Sequence, residues 1–191
     1  MSSEGHAPIH VLAIAGSLRR GSLNKALVRA AIQVAPSSVV IEDFGDIDGI
    51  PLFNEDVEKQ LPEKVKLLKA KIVAADALLI ATPEYNNSVP GVLKNAIDWA
   101  SRPGGDNSFD DKPIAIMSAG GTMGGTRAQL HLRHMCVYLN MHALNRPQVA
   151  VTNAKTKVDA SGEFGDPAIR GSILQLLVAL EAWTRRLKKE G

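Results

Sequence analysis

The sequence contains a single cysteine, Cys136, among its 191 residues, and only 4% of its residues are aromatic. One thiol excludes an internal disulfide or a zinc site built from several cysteines, and it favours a reducing compartment, the cytoplasm. The scarcity of aromatic side chains argues against a platform that stacks single-stranded nucleic acid. The 22 Lys and Arg residues nearly balance the 20 Asp and Glu residues, so a basic stripe for nucleic acid is not expected either.

Long apolar segments are also missing. No run approaches the roughly 20 residues of a membrane-spanning helix, so we expect no membrane partner. The apolar residues 11–15 follow no Lys or Arg and are too few for a signal peptide, and we interpret them as part of a strand. The hydrophobic share of 45% and the charged share of 22% are those of a globular protein, and the length fits one domain, residues 1–191.

Short apolar runs alternate with segments of helical periodicity along the chain. Buried strands are predicted at residues 9–15, 39–41, 77–82, 114–118 and within 143–151. Each is followed by apolar residues spaced three or four apart, which predict helices, the last at 169–187. This alternation predicts an α/β domain with a doubly wound, five-stranded parallel sheet, and five such units fit the flavodoxin-like strand order 2-1-3-4-5.

In that strand order, a ligand crevice lies at the carboxyl ends of strands 1 and 3. The loop after strand 1, residues 16–24, leads into a helix N-terminus, which attracts anions. Ser17, Ser22 and Asn24 add polar donors, and the guanidinium of Arg19 matches phosphate oxygens. The loop lacks the Lys of a nucleoside-triphosphate loop and the glycine spacing of a dinucleotide fingerprint. The alternative is a plain polar turn in which Ser22 is an ordinary N-cap.

The loop after strand 3 is stiffened by Pro83 and Pro90. Such a rigid loop can present backbone donors and acceptors to the edge of a planar heterocycle, with Tyr85 as an apolar wall. The alternative is an ordinary connection in which Tyr85 covers the core. The loop after strand 4 contains four glycines, among them Gly120 and Gly121, which allow a ligand to approach the backbone closely.

Four other residues are of types that often have functional roles. His131 and His134 lie three apart on a predicted helix, but no third ligand accompanies them, and we predict no metal site. Cys136 is interpreted as a small core residue. Trp99 has two open interpretations, a core residue or part of a dimer interface.

Two segments resemble a known family. Residues 16–24 read GSLRRGSLN and residues 83–99 read PEYNNSVPGVLKNAIDW. Both closely resemble the NADPH-dependent FMN reductase family, which includes chromate, quinone, azo and ferric reductases. The resemblance implies that the phosphate of FMN is held by Ser17, Arg19, Ser22 and Asn24. It implies that the isoalloxazine ring is framed by Pro83, Glu84, Tyr85, Asn86, Ser118, Gly120 and Gly121.

The function expected from this resemblance is that of an oxidoreductase. NADPH or NADH passes a hydride to FMN, and the electrons then reach an acceptor such as a quinone, free flavin, azo compound, ferric chelate or chromate. The family also implies a homodimer or a dimer of dimers. Two alternatives stay open from the residues, a flavodoxin-type electron carrier and an FMN-binding regulatory dimer without steady-state reductase activity.

Overall fold

A computed structural model describes residues 7–189, with six strands and five α-helices. The strands are β1 (Ile9–Ala15), β2 (Val39–Asp43), β3 (Ala77–Ala81), β4 (Pro113–Ala119), β5 (His142–Ala143) and β6 (Val149–Val151). The helices are α1 (Leu23–Val34), α2 (Glu63–Ala74), α3 (Gly91–Ala100), α4 (Thr126–Tyr138) and α5 (Pro167–Lys189). In the described part of the chain, none of these helices combines the length and apolarity needed to cross a membrane.

The sheet has the predicted order. Strand β1 lies between β2 and β3, with Val11 opposite Ile41 on one side and Ala77 on the other. The order β2-β1-β3-β4-β5 is parallel throughout and confirms the flavodoxin-like prediction. Because all strands run the same way, their carboxyl ends meet at one edge of the sheet, and the chain reverses its winding direction between β1 and β3.

The fifth strand predicted within residues 143–151 is two short strands. His142 pairs with Pro113 near the start of β4, and Val149 pairs with Met117 near its end. The chain leaves the sheet between them at a segment that contains Pro147, which has no backbone N–H for a sheet hydrogen bond. The sheet therefore has six strands where the sequence predicted five.

Two hydrophobic cores cover the two faces of the sheet. Along β1, Val11 and Ala13 pack with α1 and α5, whereas Leu12 and Ile14 pack with α2, α3 and α4. Successive side chains of a strand point to opposite faces, so a strand covered on both faces needs an uninterrupted apolar run. This is the physical reason why residues 9–15 are apolar with hardly a break.

Trp99, on α3, is one of the buried hydrophobic residues of the protein. Its side chain is 1% exposed, and its indole Nε1 donates to the backbone oxygen of Pro51 at 2.8 Å. The neighbouring Asn95 accepts from the backbone N–H of Phe53 at 2.8 Å. Both contacts fix the segment after β2 on α3, and they settle the interpretation of Trp99 as a core residue.

Candidate functional site

A crevice of about 380 Å³ opens at the carboxyl edge of the sheet, where loops after β1, β3, β4 and β6 converge. Its volume lies in the range of small-molecule sites, roughly 300–1,000 Å³. The predicted residues that line it are Ser17, Arg19, Ser22, Asn24, Pro83, Glu84, Tyr85, Gly120 and Gly121. Asn86 and Ser118 do not line it.

The start of α1 forms one end of the crevice. Ser22 is the N-cap, and its Oγ accepts from the backbone N–H groups of Asn24 at 3.2 Å and Lys25 at 3.3 Å. Its backbone oxygen accepts from Ala26 at 3.0 Å. Within the described residues, Leu23 alone of the first four helical residues keeps an unpaired N–H. Ser22 is thus an ordinary N-cap that also faces the crevice, where its own hydroxyl hydrogen is available to a ligand.

Asn24 joins the first loop to the end of β4. Its Oδ1 accepts from the backbone N–H of Ala119, and its Nδ2 donates to the backbone oxygen of the same residue, each at 3.0 Å. The side chain is 2% exposed. It therefore holds the loops after β1 and β4 in register, and one amide hydrogen is left for a ligand.

Positive charge collects at this end of the crevice. The Arg19 guanidinium is exposed and donates through Nη2 to the backbone oxygen of Gly21 at 3.2 Å. Lys155 reaches the same end from the short 3₁₀ helix of residues 154–156. Neither cation forms an ion pair with any acidic residue of the described chain, so both charges are available to an anionic ligand.

Glu84 places a carboxylate at the opposite end of the crevice, but the oxygens of this carboxylate are hydrogen bonded within the protein. It accepts from the backbone N–H and the Nη1 of Arg127, both at 3.0 Å, and from the backbone N–H of Ala128 at 3.4 Å. Helix α4 has Gly125 as its N-cap, which offers no side-chain acceptor. Glu84 takes over that role from the loop after β3 and ties this loop to α4.

The rest of the loop after β3 forms a tight turn. Tyr85 and Ser88 exchange two backbone hydrogen bonds of 3.1 and 3.0 Å. Asn86 and Asn87 between them have φ values of 51° and 61°, a left-handed conformation that asparagine tolerates better than most residues. The turn points Asn86 into solvent, away from the crevice lining, and leaves Tyr85 half-exposed at its rim.

The glycine loop after β4 depends on Ser118 beneath it. The Ser118 hydroxyl is fully buried, donates to the backbone oxygen of Gly124 at 2.6 Å and accepts from Gln129 Nε2 at 2.7 Å. A Cβ on Gly125 would lie 2.8 Å from the Ser118 Cβ, and its φ of 87° also requires glycine. A Cβ on Gly121 would meet nothing within 4 Å, so this residue leaves room in the crevice.

Sequence reasoning missed the loop after β6. Asn153, Lys155 and Thr156 line the crevice, and the N–H of Asn153 donates to the backbone oxygen of Gly121 at 2.8 Å. Leu23 and Ala119 were also missed. A signal for this loop was present, because a polar TNAKT segment follows the last strand and every carboxyl end of a parallel sheet lies at the same edge.

His131 and Cys136, which lie outside the crevice, have structural roles. His131 Nδ1 lies 2.9 Å from the Ser88 hydroxyl, and the described residues contain no group of three or more side chains suited to a metal ion. Cys136 is buried, and burial raises the pKa of its thiol to about 11, which keeps it protonated and unreactive near neutral pH.

A flavodoxin-like sheet with a cation-rich crevice at its switch point defines the class of this protein as an α/β protein with a site for an anionic small molecule. The sequence profile of the NADPH-dependent FMN reductase family matches residues 9–156. The chain belongs to this family. It is an oxidoreductase, and its cofactors are FMN and NADPH or NADH.

Relatives match along nearly the whole chain. An NAD(P)H-dependent FMN reductase of Pseudomonas aeruginosa is 50% identical over 182 residues, which cover 94% of this chain and 97% of the relative. A 2-hydroxy-1,4-benzoquinone reductase of a Burkholderia species is 41% identical over 178 residues, 93% of this chain and 97% of the relative. Among solved structures, a flavoenzyme NAD(P)H:(acceptor) oxidoreductase of Paracoccus denitrificans is 31% identical, with a TM-score of 0.83 and coverage of 93% and 98%.

The residues of the crevice fit FMN. A phosphate group suits the end where Arg19 and Lys155 are free of ion pairs and Ser22 keeps a hydroxyl hydrogen. A planar ring suits the other end, where Pro83 and Tyr85 offer apolar surface and the absence of a side chain at Gly121 leaves space.

Proposed function

We propose that the protein is an NAD(P)H-dependent quinone reductase whose two substrates use the one crevice in turn. The observation that supports it most is the crevice itself, which joins a cationic end at Arg19 and Lys155 to an apolar, glycine-lined end at Tyr85 and Gly121. The benzoquinone reductase relative supports a quinone as the acceptor. When bound in this crevice, FMN would supply the redox chemistry that links the nicotinamide to the acceptor.

In this proposal the cofactor is held from both sides of the switch point. Ser17, Arg19, Ser22 and Asn24 form the phosphate end, and Lys155 joins them. The ring end consists of Pro83, Glu84, Tyr85, Asn86, Ser118, Gly120 and Gly121. Two members of this group act from outside the lining, because Ser118 supports the glycine loop from below and Asn86 shapes the turn that carries Tyr85.

The chain's own residues bind and orient rather than transfer protons. Of the charged residues that line the described crevice, Glu84 is engaged with α4, and Arg19 and Lys155 are cations at the phosphate end. None of these supplies a general acid–base pair to the ring end. This agrees with hydride transfer, in which the reacting atoms belong to the cofactor and the substrates.

The proposed assembly is a homodimer or a dimer of dimers, formed through α4. Leu130, Val137 and Tyr138 lie on one face of this helix and are 61%, 83% and 83% exposed. The half-exposed Tyr85 lies at the rim of the crevice, in the loop that Glu84 ties to the start of α4. A second copy of the chain would cover this face and complete the rim, and two-fold assemblies are the commonest among soluble proteins.

The oligomer is tested by charge substitution on α4. We expect Val137→Glu to yield monomers in light scattering, because a carboxylate would be buried in the interface. Val73→Glu is the matched control, since Val73 is an exposed valine on α2 that plays no part in the proposed interface. A wild-type protein that is monomeric and fully active would overturn the proposed assembly.

The activity is tested by steady-state oxidation of NADPH and NADH with a panel of acceptors. Quinones should give the highest kcat/KM, and free flavin, azo dyes, ferric chelates and chromate complete the panel as slower acceptors. Bound flavin without turnover of either nicotinamide would instead indicate an electron carrier or a regulatory dimer. We propose the cytoplasm as the compartment, on the ground of the single, unpaired cysteine.

A further inference from the structure

A second cavity opens beside the crevice at the N-terminus of α1. It measures about 390 Å³ and shares Arg19, Ser22, Leu23 and Lys155 with the crevice. From this junction it extends between the loop after β1 and the segment of residues 158–162. The volume reaches the range of small organic ligands, roughly 300–1,000 Å³, and is much more than a single phosphate group requires.

The charge of the second cavity is strongly positive. Arg19 and Lys155 lie at the junction, and Arg20 lines the second cavity alone. In residues 7–189, none of these three side chains forms an ion pair. Arg29 also lines the cavity, but its Nε contacts Glu163 Oε1 at 2.6 Å and its charge is compensated. The second cavity therefore suits a ligand with more than one anionic group.

The outer wall of the second cavity is fixed by its own hydrogen bonds. Asp159 Oδ1 accepts from the backbone N–H groups of Ser161 at 2.8 Å and Glu163 at 3.0 Å. The ion pair of Glu163 attaches the same wall to α1. The half-buried Val158 adds carbon surface on the inner side. This wall is held in place without a ligand, which lowers the entropy cost of binding one.

We propose that the second cavity binds the adenosine monophosphate half of FAD, so that the chain accepts FAD as well as FMN. The inference rests on the proposed function, since it requires the flavin phosphate at Arg19. FAD extends the FMN phosphate into a pyrophosphate, and the second phosphate must leave the crevice at its phosphate end, where the two cavities join. Arg19 and Lys155 face both phosphates, Arg20 meets the second, and Val158 offers surface to the adenosine.

Calorimetric titration of the full chain, freed of flavin, tests this proposal with FMN and FAD. We expect wild type to bind both flavins. Arg20→Gln should weaken FAD by roughly tenfold, the loss of one charge-assisted hydrogen bond, and FMN by less than about twofold. Arg146→Gln is the matched control, because it removes the same charge from an exposed arginine in a different cavity. It should leave both affinities unchanged.

The outcomes separate this inference from the proposed function. FAD that does not bind, or that binds equally well to Arg20→Gln, overturns the adenylate site. If FMN still binds and depends on Arg19, the proposed function is unaffected, whereas failure of wild type to bind FMN overturns both.

NADPH is a second source of the same adenylate chemistry. It is distinguished by titrating its adenosine bisphosphate fragment into the FMN-loaded protein. Binding of the fragment that depends on Arg20, together with absence of FAD binding, would assign the second cavity to the nicotinamide co-substrate and overturn the proposal. FAD binding that depends on Arg20, with no binding of the fragment to the FMN-loaded protein, would support it.

Discussion

The two ends of the crevice differ in how their polar groups are used. At the end near β3 and β4, Glu84 caps α4 and Ser118 is hydrogen bonded on both sides. At the other end, the Arg19 guanidinium donates only to a backbone oxygen of its own loop, and Lys155 forms no ion pair within the described chain. At the ring end, these polar side chains are hydrogen bonded within the protein. At the phosphate end, the two cations are available to a ligand.

This difference implies that stability and flavin affinity reside in different residues. Substitutions of Glu84 or Ser118 at the ring end should lower the free energy of unfolding, because they remove hydrogen bonds of the protein itself. Substitutions of Arg19 or Lys155 at the phosphate end should lower flavin affinity and leave the free energy of unfolding of the flavin-free protein nearly unchanged, since exposed side chains without ion pairs contribute little to it.

Gly125→Ala should have the largest effect on the flavin-free protein. A methyl group would face the Ser118 Cβ at 2.8 Å, and the φ of 87° disfavours any side chain. Left-handed backbone and overpacking together should cost about 2–4 kcal/mol in the free energy of unfolding, measured by urea titration.

Gly121→Ala is the matched control for this substitution. Its methyl group meets nothing within 4 Å, so the free energy of unfolding should change by less than about 0.5 kcal/mol. Equal losses at Gly121 and Gly125 would show that the glycine loop is not built around Ser118.

Arg19→Ala should have the next largest effect, and on affinity alone. The loss of a charged hydrogen bond to the phosphate should weaken FMN by about 1.5–3 kcal/mol in a fluorescence titration. Arg19→Lys should recover only part of this, because an ammonium group lacks the planar fork of a guanidinium. Riboflavin, which has no phosphate, is the control ligand. Equal losses for FMN and riboflavin would place Arg19 away from the phosphate.

The sheet order and the loop at the phosphate end are the features that the sequence predicted. Apolar runs and helical spacing predicted the sheet order, because strands that are buried on both faces consist of uninterrupted apolar residues and alternate with helices along the chain. The loop at Arg19 was predicted to face a ligand, and it lines the crevice, since strand order alone places that loop at the switch point.

What the sequence did not predict depends on contacts between distant residues. Asn24 and Ala119 are 95 positions apart, and Glu84 and Arg127 are 43 apart, so no local pattern indicates either pair. The last strand is split because tertiary packing determines the position of the segment around Pro147. The position of Lys155 depends in the same way on the packing of the loop after β6.

Glu84→Ala should have a moderate effect on stability. It removes the acceptor for the first N–H groups of α4, and losing such a cap costs about 1–2 kcal/mol in the free energy of unfolding. Glu84→Gln keeps one acceptor oxygen and should lose less. Thermal unfolding of the flavin-free variants measures both. If Glu84→Ala weakened FMN without lowering stability, the carboxylate would be a ligand contact and not a helix cap.

The smallest expected effect is that of salt on the binding of FMN and riboflavin. The exposed charges of Arg19 and Lys155 are screened as ionic strength rises, because the Debye length falls from about 10 Å at 0.1 M to about 3 Å at 1 M. The affinity for FMN should therefore decline severalfold over this interval, and the affinity for riboflavin should stay nearly constant. Titration of Arg19→Ala should show a shallower decline for FMN than wild type does. An equal salt dependence for both flavins would mean that the crevice does not separate a charged end from a structural one.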